Sequence, residues 1–206
     1  MTALGHAAGP SISAPTRRAP SRGPSVILLV AAATGLLASL ALSVEKYRVL
    51  SNPGYLPACT VSEVVNCGSV MQSWQSTVLG FPNAIAGVAG YSVVVTVAVM
   101  ALAGASPARW VWFGLFAGAG LGTAFVHWLA WQTAYDIGAL CVYCIAVWVS
   151  TVTILASAAA LLLGGAGRDA TGSARGSAVV GWVPVGLIVW LTLLAVFVAF
   201  GLTAGS

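Results

Sequence analysis

Residues 141–163 read CVYCIAVWVSTVTILASAAALLL, two cysteines three apart followed by an apolar run without a single Asp, Glu, Lys or Arg. The run is about as long as a bilayer is thick, since a spanning helix needs roughly 20 apolar residues. Four further stretches have the same character: Ser25–Val44, Ala84–Ala103, Trp110–Ala130 and Ala178–Leu202. A charged residue at the centre of any of them would cost about 2.5–3.5 kcal/mol, and none has one. The whole chain agrees: 59% of its residues are hydrophobic and 6% charged, too few charges to cover a soluble domain of 206 residues. The expected class is an all-α integral membrane protein with five transmembrane helices.

The spans leave a Pro/Ser/Ala-rich head, residues 1–24, expected to be disordered and cytoplasmic. A single transmembrane domain is expected over residues 25–203, with a long loop over residues 45–83. The first apolar run follows Arg17, Arg18 and Arg22 and resembles a secretory signal, but its core is long for one. A retained helix is the expectation. Of the eight basic residues, Arg17, Arg18, Arg22, Arg109, Arg168 and Arg175 fall in the head and in the second and fourth connections. Only Lys46 and Arg48 fall in the first loop. Basic residues stay on the cytoplasmic side, which predicts an inside amino terminus and a long loop on the extracytoplasmic side.

That orientation places all four cysteines, Cys59, Cys67, Cys141 and Cys144, on one side, in a compartment that permits disulfides. Thiols confined to one side cannot carry electrons across a membrane by exchange alone, so an acceptor dissolved in the bilayer is implied. The start of a helix favours a thiolate, as does the CxxC arrangement itself, and the thiolate is the exchanging species. Trp148, seven residues beyond Cys141, extends the same helix face into the hydrocarbon region.

Other uses of four cysteines fit less well. Tetrathiolate zinc sites use closely spaced pairs, whereas seven residues separate Cys59 from Cys67. Haem attachment needs His after the second cysteine of CxxC, and Ile145 stands there. For Cys59 and Cys67 two readings stay open on spacing: an ordinary loop staple, or a shuttle pair between a soluble dithiol and Cys141. His127, Trp128, Trp131 and Tyr135 read as anchors at the membrane interface. Glu63 and Asp136 read as solvated loop charges.

With these residues in place, the chain resembles the vitamin K epoxide reductase family, and within it the bacterial disulfide-forming, DsbB-like branch. The resemblance rests on Cys59 and Cys67, on Ser73 six residues beyond, on Phe81-Pro82-Asn83 at the second span, and on Cys141-x-x-Cys144 at the fourth. It implies a four-helix bundle around a quinone of menaquinone or ubiquinone type, capped by the first loop, with Ala178–Leu202 as a peripheral fifth helix. It also implies roles. Cys144 would reduce the quinone, Cys141 would be its partner and the target of Cys67, and Cys59 would form the mixed disulfide with a donor. Asn83 would hydrogen-bond a quinone carbonyl, although its position also suits a cap on the second span. Ser73 would lie near the CxxC site.

Two departures bear on these roles. Vertebrate relatives carry Tyr where Trp148 stands, so the phenolic hydrogen bond is missing or supplied differently. Some bacterial relatives also carry a thioredoxin-like domain after the last helix, and here the sequence stops at Ser206. The donor is therefore expected to be a separate extracytoplasmic thioredoxin-fold protein resembling DsbA. The expected function is a quinone-dependent thiol oxidase. Its rivals are a transmembrane thiol conduit, a stapled membrane module without activity, and a literal vitamin K epoxide reductase.

Overall fold

A computed structural model describes residues 22–166 and, beyond them, residues 186, 188–190, 192–193, 195–197 and 199. Among the described residues, four helices are long and apolar enough to cross a membrane, running through residues Arg22–Ser51, Asn83–Leu102, Arg109–Ile137 and Val142–Leu163. The helices are α1 (Arg22–Ser51), a short α2 (Cys67–Gln72), α3 (Asn83–Leu102), α4 (Arg109–Gln132) and α5 (Val142–Ala166). A 3-10 turn, Trp74–Thr77, follows α2, and a π-turn, Thr133–Ile137, ends α4. Many large side chains on the spanning helices point outward, among them Ile27, Val30, Leu37, Val93, Phe113 and Leu121. Lipid rather than water is the solvent that suits them. The chain is a membrane protein.

The expected spans two to four agree with α3, α4 and α5 to within three residues at each end. Span one does not end where the charges begin. Helix α1 continues about two turns past Val44, through Glu45, Lys46 and Arg48 to Ser51, so both basic residues assigned to the first loop are helical. Residues 1–21 of the head and more than half of Ala178–Leu202 lie outside the described residues. Arg22, Gly23 and Pro24, expected in a disordered head, are instead the first residues of α1, and the described positions from 186 to 199 are helical.

Helix α1 packs against both α3 and α5, and α4 packs against α5, whereas α3 and α4 make almost no contact with each other. The α1–α3 approach is close because its residues are small. A methyl group at Gly35 would sit 2.4 Å from Cε1 of Tyr91, and one at Gly87 would sit 2.6 Å from Oγ of Ser39. Without a hydrophobic drive between helices in lipid, such small-residue contacts supply the packing. The Tyr91 ring covers Gly35 and reaches on to α5, where its hydroxyl lies 2.6 Å from Thr151 Oγ1 and donates to the Val147 carbonyl at 2.8 Å. The core between these helices is formed by Leu28, Ala32, Ala98, Trp112, Ile154 and Ala158, among others.

Candidate active site: three sulfurs above an apolar cavity

The segment between α1 and α3 folds over one end of the bundle. At its start Tyr55 donates to Glu45 at 3.0 Å, and Arg48 bridges to both, 3.3 Å from the Tyr55 hydroxyl and 3.5 Å from Glu45. This clasp turns the chain back over α1, helped by Gly54 at φ 94°. Farther along, the backbone meets the residues just ahead of α5. The Leu140 N–H donates to the Val64 carbonyl at 2.6 Å, the Asn66 N–H donates to the Leu140 carbonyl at 3.0 Å, and Val65 and Leu140 form an isolated parallel bridge. Cys67 and Cys141 are the next residues beyond this bridge, so the pairing brings them together.

The result is a compact group of sulfurs. Cys59 and Cys67 are disulfide-bonded, and the sulfurs of Cys59, Cys67 and Cys141 all lie within 4.8 Å of one another. Cys67 is 0% exposed, Cys141 1% and Cys59 7%, which makes Cys59 the most accessible of the three. Cys141 and Cys144 are both free thiols. Cys67 is also the first residue of α2, whose amino end is capped by Asn66 Oδ1 accepting from the Ser69 N–H at 3.1 Å.

Cys141 stands at the start of α5, where its carbonyl accepts the first helical bond, from the Ile145 N–H at 3.1 Å. The N–H groups of a first turn have no helical acceptors of their own. The Cys141 thiol is held below its ordinary value, first by a hydrogen bond from the Cys144 side chain and then by the backbone N–H groups of Cys144 and Tyr143. Burial opposes the shift without cancelling it. Cys141 is therefore the thiol prepared for exchange with the neighbouring disulfide.

Below the sulfurs, the gap between α3 and α4 opens into a cavity of about 1080 Å³. Cys141, Cys144, Ser73, Asn83 and Trp148 all line it, so the structure brings the sequence-derived candidates together, with Cys59 and Cys67 just behind. Its wall is mainly aliphatic and aromatic side chains, and four of its lining residues carry a buried polar atom with no hydrogen-bond partner: Gln75 Oε1, Asn83 Oδ1, Trp148 Nε1 and Ser39 Oγ. An unsatisfied buried polar atom costs about 1–3 kcal/mol, so four in one cavity point to a ligand that pairs with them.

Asn83 does not cap α3. Its Nδ2 donates to the Gln75 carbonyl at 2.6 Å, and its buried Oδ1 has no hydrogen-bond partner. Ser73 closes the end of α2, donating to the Val70 carbonyl at 2.7 Å. Trp148 meets His127 and Trp190 edge to face, with ring centroids 5.6 and 5.7 Å apart. His127 is thus part of an aromatic cluster with Trp148 and Trp190. Asp136, exposed as expected, accepts a hydrogen bond from the buried Gln75 side chain. Gln75 and Lys46 line the cavity too, and the sequence marks neither as a site residue. Gln75 carries no motif, and Lys46 stands out only as a basic residue that bears on orientation.

A buried disulfide touching a cysteine of a CxxC pair, in a helical membrane bundle, defines a membrane thiol–disulfide oxidoreductase. The chain belongs to the vitamin K epoxide reductase family, whose model matches residues 26–159. No curated protein matches it.

Proposed function

We propose that the protein is a quinone-linked thiol oxidase of the disulfide-forming, DsbB-like branch, reoxidising a separate thioredoxin-fold (DsbA-like) protein on the extracytoplasmic side. The observation that carries this reading is the contact of three sulfurs, within 4.8 Å, at the mouth of an apolar cavity lined by Cys141 and Cys144. The fit of a quinone is supported by that cavity's size and by its unpartnered atoms. The indole N–H of Trp148 is a donor for a ring oxygen, supplying from another side chain the hydrogen bond that Tyr gives in relatives. Asn83 Oδ1 and Gln75 Oε1 are acceptors for ring hydroxyls. A bound quinone would supply a two-electron, two-proton sink.

The protein's part is thiol chemistry. A donor thiolate attacks Cys59, the most exposed of the three sulfurs, and Cys67 leaves as a thiolate. The donor's second thiol releases Cys59 and leaves the donor oxidised. Cys67 attacks Cys141 of a Cys141–Cys144 disulfide, freeing Cys144, and Cys59 then closes again on Cys67. Two electrons and two protons now reside on Cys141 and Cys144, the arrangement of bonded and free cysteines described above. Their loss to the acceptor restores the CxxC disulfide. The inside amino terminus and the loop's extracytoplasmic position belong to the same proposal, resting on the distribution of basic residues.

Anaerobic assay of the purified protein with a reduced thioredoxin-fold donor and a quinone tests the cycle. Cys59→Ala should stop donor oxidation, and Cys144→Ala should abolish quinone reduction. Quinone reduction at the normal rate by Cys144→Ala would overturn the assignment.

A further inference from the structure

Among the described residues that line the cavity there is one side chain that is ordinarily charged: none is Asp, Glu, Arg or His, and the single ammonium is that of Lys46, on the last turns of α1 and 8% exposed. Its partners are neutral: it donates to the Met71 carbonyl and, at 3.0 Å, to Ser76 Oγ. Among the described residues no carboxylate lies within 4.0 Å of it; the nearby Glu45 is engaged by Arg48 and Tyr55. An ammonium has three N–H donors, so one remains beyond those two contacts.

Burying an unpaired cation costs several kcal/mol even after the protein relaxes. The Met71 carbonyl, near the carboxy end of α2, recovers part of that cost, because cations are favoured at helix carboxy ends. A neutral donor would satisfy the same carbonyl, with a weaker bond but without the cost of burying a charge. What a neutral donor lacks is a long-range pull on negative charge inside a cavity of low dielectric.

We propose that Lys46 is a specificity-determining residue: its ammonium is the counter-charge for a ring ligand bearing an ionised oxygen, so the cavity prefers anionic hydroxyquinones to neutral quinones of equal size. The inference rests on the proposed quinone site and adds the sign of charge that the site selects. A fixed cation there also lowers the free energy of an acceptor as it gains negative charge from Cys141 and Cys144.

The test is a pair of binding titrations on the full chain in bilayer discs, read by quenching of tryptophan fluorescence. All four cysteines are kept disulfide-bonded, so that no electrons move. The probes are 2-hydroxy-3-methyl-1,4-naphthoquinone, ionised at neutral pH, and 2,3-dimethyl-1,4-naphthoquinone, which is neutral; both carry substituents that block thiol addition. Charge-assisted hydrogen bonds contribute about 1.5–3 kcal/mol, so the ratio of the two affinities should fall about tenfold or more from wild type to Lys46→Met. Lys46→Arg should keep the ratio. Lys46→Gln, which retains N–H donors for Met71 and Ser76, should lose it as Lys46→Met does, and it serves the test alone where Lys46→Met does not fold. An unchanged ratio in Lys46→Gln, with both rings weakened alike, would mean that Lys46 is only a staple and overturns the inference. If neither ring binds the wild-type protein, the quinone reading itself fails.

Discussion

The bundle and the cap over it are held together by different forces. Where α1, α3 and α5 meet, the fit comes from what is missing: Gly35 makes room for the Tyr91 ring and Gly87 for Ser39. The cap is held by polar bonds, most of them between segments distant in sequence, with Val64 and Asn66 bonded to Leu140, Gln75 to Asp136, and Lys46 to Met71 and Ser76, and with Asn83 bonded more locally to Gln75. Apolar packing thus fixes the helices, and directional hydrogen bonds fix the sulfurs. Damage to one region should therefore differ in kind from damage to the other.

The largest effect should come from the bridge that aligns Cys67 with Cys141. Leu140→Pro removes the N–H that bonds the Val64 carbonyl. A misplacement of about 1 Å can cost about a hundredfold in rate, so exchange between the loop pair and CxxC should slow by that order. Stopped-flow trapping of the mixed disulfide would measure it, and thermal unfolding should be nearly unchanged. A normal exchange rate would show that the bridge does not position the sulfurs. Gly35→Val acts on the other region. Overpacking against Tyr91 should destabilise the bundle by about 1–3 kcal/mol, as measured by unfolding in mixed micelles, while exchange in the folded fraction persists. Loss of exchange without loss of stability would mean that the two regions are not separable in this way.

The smallest effect concerns one proton. In a variant with Cys59 and Cys67 replaced by Ser, thiolate absorbance should titrate Cys141 with a midpoint below that of an ordinary thiol. In the unmodified protein, falling pH protonates the Cys141 thiolate and slows its attack on the Cys59–Cys67 disulfide, the reverse of the proposed forward step, but only below that lowered midpoint. Cys144→Ala removes the leading cause of the shift and should move the midpoint upward. A midpoint that ignores Cys144 would leave the backbone N–H groups of Cys144 and Tyr143 as the cause.

Much of this was legible in the sequence, for identifiable reasons. An apolar run of bilayer length has one stable outcome, which is why α3, α4 and α5 fall where expected. CxxC at the start of such a run fixes Cys141 and Cys144 by local geometry alone. The extension of α1 was missed because charges end a membrane span without ending a helix. Glu45, Lys46 and Arg48 are ordinary helix formers once the helix has left the hydrocarbon. The bridge between Val65 and Leu140 was invisible, because two isolated backbone bonds leave no periodic signature. Gln75 was equally hidden, since its role depends on Asp136, sixty-one residues away.

Because Cys67 and Cys141 sit so deep, the proposed electron path is insulated as well as short. Peroxide attacks thiolates it can reach and converts them to sulfenic acids. A sulfur 0% exposed, beside one 1% exposed, presents almost no surface to it. On the proposed route, leakage of reducing equivalents to stray oxidants is thereby suppressed, and current enters or leaves at the terminals only, Cys59 at one and Cys144 at the other.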